Sequence, residues 1–87
     1  RHGLADAELV ELFLWDKETY LSRTEGSAIR RIGHERWLRN LAVGLGNGPA
    51  SNEAIAALRS RSEFPSELVR EHVEWALGQL EAKSAGV

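Results

Sequence analysis

Gly26 to Pro49 reads GSAIRRIGHERWLRNLAVGLGNGP, and how far its helix runs decides the architecture. An unbroken helix from Ala28 to Leu45 would place Arg30 and His34 on the same stripe as Trp37, Leu38, Leu41 and Leu45. Burying a guanidinium there without a partner is costly. Glycine admits a sharp change of direction with little steric penalty. The spacing therefore predicts a one-turn helix over 28–31, a bend at Ile32-Gly33, and a longer helix from His34 to about Leu45. Arg36, Arg39 and Asn40 fall at i, i+3 and i+4 of that helix, opposite its apolar stripe. Gly46-Asn47-Gly48-Pro49 then ends it, with glycine after the last turn and proline beyond. Gly44 to Gly48 looks superficially like a nucleotide loop, but it follows a helix rather than a strand, so C-capping is its expected role.

Working outward, helical periodicity continues on both sides. Asp6 is expected to cap a first helix running to about Trp15, with Leu9, Val10, Leu12, Phe13 and Trp15 covering most of its circumference. A helix apolar that far round calls for burial on two sides. Asp16 caps a second helix, 17–23, that turns Tyr20 and Leu21 inward. Beyond the glycine-rich turn, Ser51 or Asn52 caps a short helix carrying Ile55 and Leu58. Phe64-Pro65-Ser66 opens a last helix to about Ala82, with Ser66 as cap and Leu68, Val69, Val73, Ala76 and Leu80 as its stripe. Arg70, Glu74 and Glu81 face water. A shift of 32 residues sets Glu35 on Glu67, Leu41 on Val73, and Leu45-Gly46 on Leu77-Gly78. The fold class is all-α: a small HEAT-like helical-repeat bundle of about five to six helices.

At 87 residues the chain is one small domain, 1–87, with a thin core and ends over 1–5 and 83–87 that are expected to fray. Its 43% hydrophobic and 28% charged content suits a folded soluble domain. No apolar run is long enough to span a bilayer. The absence of cysteine excludes disulfides and any cluster held by cysteines of this chain. Methionine is absent even at position 1, so the chain reads as a domain cut from a longer protein.

Charge is unevenly distributed. Between Arg23 and Arg39, the five arginines 23, 30, 31, 36 and 39 face only Glu25 and Glu35, a local +3. The other six basic and eleven acidic side chains sum to −5, giving −2 overall. A basic island on an acidic body is the footprint of a polyanion partner. Arginine offers bidentate donors that lysine lacks, and the backbone N–H groups around Gly26-Ser27-Ala28 open a helix where phosphate could sit. His34 is read either as a phosphate or base contact or as a helix cap. His72 falls on the last helix's stripe as a satisfied core histidine, and His2 lies in the fraying end. The three histidines have no metal-ligand spacing, and no nucleophile–base arrangement is evident. Trp37 and Trp75 are expected in the core, and Trp15, at a helix end, is the tryptophan expected to be exposed.

TEGSAIRRIGHERWLRN, 24–40, followed by LAVGLGNGP, resembles the C-terminal region of the bacterial epoxyqueuosine reductases. ELVELFLWDKETYLSRTEGS upstream and LVREHVEWALGQLE downstream are similar to the same region, so the resemblance covers roughly Leu4 to Glu81. It implies a cytoplasmic oxidoreductase of queuosine biosynthesis that reduces epoxyqueuosine to queuosine at the tRNA wobble position. It also implies a cobalamin and two four-iron clusters, all held by a catalytic core N-terminal to Arg1, and no cofactor or metal in this segment. The family's final domain is a HEAT-like bundle that helps to hold tRNA, so no catalytic residue is expected here. The implied partners are a tRNA anticodon stem–loop and the enzyme's own core, with no membrane contact and a monomeric chain. With the charge island, the residues expected to bind tRNA are Gly26, Ser27, Arg30, Arg31, His34, Arg36, Arg39 and Asn40. Two other readings stand beside it. The chain could be a helical-repeat module for protein interaction or domain docking without RNA contact. It could instead close over the catalytic core on its cofactor side.

Overall fold

Short side chains that bond back to the next turn's N–H groups set most of the helix starts. The computed structural model describes residues 2–85, with side chains over 6–84; the ends expected to fray fall partly outside them. Asp16 accepts from the Thr19 N–H at 2.7 Å and opens α2, Lys17–Arg23. Ser27 accepts from Ile29 and opens a 3-10 turn, Ala28–Ile32. Ser51 accepts from Ala54 at the head of α4, Asn52–Arg59. Ser66 accepts from Val69 at the head of α5, Glu67–Ala85. Each satisfies a donor that the helix cannot. Gly33, at φ 90°, separates the 3-10 turn from α3, His34–Gly46, so the predicted bend is present. No strand occurs among the described residues.

α1, His2–Phe13, departs from expectation at both ends. Asp6 lies inside the helix rather than capping it, because its carboxylate has a tertiary partner: Oδ2 accepts from the Ser51 hydroxyl at 3.1 Å. The helix stops at Phe13, not Trp15, since Asp16 must adopt an extended conformation to cap α2. α5 runs three residues beyond Ala82, and Lys83 there donates to the carbonyls of Gly46 and Gly48 at 3.0 and 2.7 Å. A cation thus serves the free carbonyls at the end of α3.

α3 and α5 form the central pair, with α1 and α4 packed across them. The core joins Phe13 of α1, Leu38, Leu41 and Leu45 of α3, Leu58 of α4, and Val69, Val73 and Leu80 of α5, all buried. Gly46 is a packing residue rather than the expected cap. It ends the helix proper and Asn47 caps it with ordinary right-handed geometry, while a Cβ on Gly46 would lie 2.9 Å from the Ala76 Cα. Trp75, expected in the core, is 41% exposed. It lies beside the Val73–Ala76–Leu80 stripe and covers Gly46 from the rim.

Candidate nucleic-acid interface

The arginines of 23–39 are carried on three supports. Arg30 and Arg31 are exposed on the 3-10 turn, where with Gly26, Ser27 and Ala28 they line one open concavity. Gly26, at φ 79°, makes the left-handed entry that brings the chain round into this turn. Arg36 lies on α3 and lines a second groove with Lys17, Ile32 and Phe64. Arg39, next along α3, donates from Nε to the Asn40 Oδ1 at 2.8 Å. Arg23 closes α2 with its guanidinium 5.6 Å from the centre of the Trp15 ring, a cation–π distance. Trp15 is half-buried rather than exposed, stacked on Trp37 at 5.7 Å.

Among the described residues the single ion pair joins Arg59 to Glu81, at 3.5 Å. None of the five arginines of the island is matched to a carboxylate among the described residues. Glu35, the nearest acid in sequence to Arg36, accepts from the Ser66 hydroxyl. The helix-end contribution to anion binding is small, because a five-residue 3-10 turn sums few peptide dipoles and the Ser27 hydroxyl already takes the Ile29 N–H. The guanidinium groups carry the positive field.

His34 lies at the groove that Arg36 lines but presents little of its side chain there. It is buried, with Nε2 3.1 Å from the Trp15 carbonyl, so that nitrogen carries the proton. Burial holds its pKa below the ordinary histidine value, and the Arg61 and Lys17 charges act the same way; the Trp15 bond and Asp16 oppose them. The ring is part of an aromatic layer with Tyr20, Trp37 and Phe64. His72 is half-buried, at the edge of the core, and satisfied by the Leu68 carbonyl at 2.8 Å. The His2 side chain lies outside the described residues.

One residue in this layer has no signature in the sequence. Arg61 donates from Nε to the Phe13 carbonyl at 3.1 Å and from Nη2 to the Trp15 carbonyl at 3.0 Å. Its guanidinium lies over both Phe13 and Phe64. Burial lowers its pKa, against the opposing charge of Asp16. With Trp37 Nε1 donating to the Leu12 carbonyl at 3.3 Å, it closes the C-terminal end of α1. Nothing in the sequence distinguishes it from the exposed Arg59 and Arg70, since its partners lie more than forty residues away.

No group of three metal-ligating side chains occurs among the described residues, and none of their helices is long and apolar enough to cross a membrane. No family model matches the chain, nor does any solved structure. Among curated proteins it is 68% identical over 77 residues to the epoxyqueuosine reductase of Pseudomonas aeruginosa, covering 88% of this chain and 21% of that enzyme. It is 62% identical over 79 residues to the enzyme of Xanthomonas campestris, covering 91% of this chain and 22% of the relative. Against the Escherichia coli enzyme it is 55% identical over 80 residues, 91% of this chain and 21% of the relative. The chain corresponds to a portion of the epoxyqueuosine reductases. It spans about a fifth of the length of the relatives it matches. Within the matching portion, the arginine-bearing turn, α2 and the first turns of α3 form the candidate interface.

Proposed function

We propose that this chain grips the tRNA anticodon stem–loop for a cytoplasmic epoxyqueuosine reductase, while the rest of that enzyme reduces epoxyqueuosine to queuosine at the wobble position. One observation carries the reading: among the described residues the five arginines of 23–39 lie without carboxylate partners, on a chain of net negative charge. Unpaired guanidiniums on an acidic body favour a polyanion over an ordinary solvated face. Arg30 and Arg31 take adjacent phosphates at the concavity of Gly26 and Ser27. Arg36, Arg39 and Asn40 extend the strip along α3, and buried His34 supports it from beneath. Phosphate contacts of this kind set register and leave base recognition to other groups.

The family's cobalamin and two four-iron clusters belong to the catalytic core in this reading. With no cysteine, this chain does not offer the donor set of such clusters, and no redox step runs through its residues. The full-length protein is a monomer whose core and this domain hold the RNA between them.

The test is the affinity of the full-length protein carrying this chain for a queuosine-type anticodon stem–loop. Changing Arg30→Ala together with Arg31→Ala is expected to weaken binding roughly tenfold. It should also flatten the plot of log affinity against log salt by about 1.5, the loss of two phosphate contacts. Unchanged affinity and slope would remove these arginines from the interface. A docking role is favoured by a different feature, the 47% exposed Leu14 beyond α1; a Leu14→Ser change that loosened the full-length protein without altering RNA affinity would support it.

A further inference from the structure

The 3-10 turn that carries Arg30 and Arg31 buries none of its own side chains. Ile29 and Ile32, its large apolar members, are 42% and 41% exposed. Glycines with positive φ flank it, Gly26 before and Gly33 after. A short segment with none of its side chains buried, bounded by two glycines, has only light packing against α3 to fix its direction. Yet its geometry is tied to the body by one side chain. The Tyr20 hydroxyl donates to the Ile29 carbonyl at 2.6 Å and accepts the Gly33 N–H at 3.1 Å. These two bonds hold both ends of the turn to α2, using the donor and the acceptor capacity of one phenol. Tyr20 is itself fully buried, with its ring tilted against Trp37 at 5.2 Å and His34 at 5.5 Å. Its carbonyl takes the Thr24 hydroxyl at 2.6 Å.

We infer that Tyr20 is the positioning residue of the phosphate grip, its hydroxyl fixing the direction in which Arg30 and Arg31 leave the domain. The inference rests on the RNA reading of those two arginines. Tyr20 touches no RNA; it pre-orders the turn, so that less ordering entropy is lost when phosphate binds. Phenylalanine keeps the ring and its packing and removes the one oxygen that both ends of the turn share.

The experiment uses the full-length protein and the same stem–loop RNA. Tyr20→Phe is expected to weaken binding roughly three- to tenfold by loss of pre-organisation. Amide exchange over 29–33 should quicken while α3 and α5 stay protected. In a chain already carrying Arg30→Ala and Arg31→Ala, adding Tyr20→Phe should cost almost nothing more, because both act through one contact. Val73→Ala, a core change away from the turn, should lower stability without moving the affinity of folded protein. Additive losses, or Tyr20→Phe at wild-type affinity beside weakened arginine variants, would overturn the positioning role. Should the arginine pair itself leave affinity unchanged, the RNA reading fails instead. Exchange over 29–33 then decides separately whether the hydroxyl holds the turn: faster exchange sustains that hold, unchanged exchange overturns it.

Discussion

Gly46→Val is expected to destabilise the 87-residue chain by about 3 kcal/mol, the upper range for overpacking a well-filled contact. A Cβ at Gly46 would come within 2.7 Å of the Trp75 ring, 2.9 Å of the Ala76 Cα and 3.0 Å of the Ala76 Cβ. Trp75 sits at the rim and can swing aside, but the Ala76 backbone is part of α5 and cannot. α3 and α5 make the largest packing pair of the fold, so separating them there loosens the whole core. Gly78, its counterpart in the 32-residue shift, has nothing within 4 Å of an added Cβ and lies exposed within α5. Gly78→Ala should therefore stabilise by up to about 1 kcal/mol through helix propensity alone. Thermal unfolding of the two variants should move in opposite directions, by roughly 10 °C or more downward for Gly46→Val. A small or positive shift at position 46 would mean that the helices do not approach this closely.

Arg61→Ala should cost about 2–3 kcal/mol, the effect of leaving a buried acceptor unpaired while removing charge-assisted bonds. The Trp15 carbonyl keeps His34 as a donor, but no other side-chain donor reaches the Phe13 carbonyl among the bonds described. Part of the loss is packing, because the guanidinium plane lies over Phe13 and Phe64. Lysine offers a point charge in place of a planar fork, so Arg61→Lys should recover less than half of the loss. Arg59→Ala is the matched control. Its side chain is 64% exposed and its pairing with Glu81 is long, so denaturant midpoints should barely change. Equal effects at positions 59 and 61 would contradict the anchoring role of Arg61.

What could be read from the sequence was local. Asp16, Ser27, Ser51 and Ser66 each cap a helix through a bond spanning two or three residues, and such bonds leave their mark in short spacings. The bend at Gly33 was readable because a continuous helix would have buried Arg30. The bend freed Arg30, while His34 still followed its stripe inward and found the Trp15 carbonyl. Residues whose partners lie far along the chain were not readable. Asp6 looked like a cap until Ser51, forty-five residues on, took its carboxylate. Gly46 looked like a helix stop and proved to be a contact with Ala76. Trp75 reads as core from its place beside an apolar stripe, but smaller residues fill that stripe and leave it at the rim. The charge island was readable as composition, but its division among the end of α2, a 3-10 turn and α3 needed the fold.

The most direct test of the RNA-gripping role is amide exchange of the full-length protein with and without a queuosine-type anticodon stem–loop, at two salt concentrations. Slowed exchange concentrated over 26–40, fading as salt rises, is the expected result. Slowed exchange over 9–14 of the α1 region with none over 26–40, or no change at low salt with RNA in excess, would contradict it.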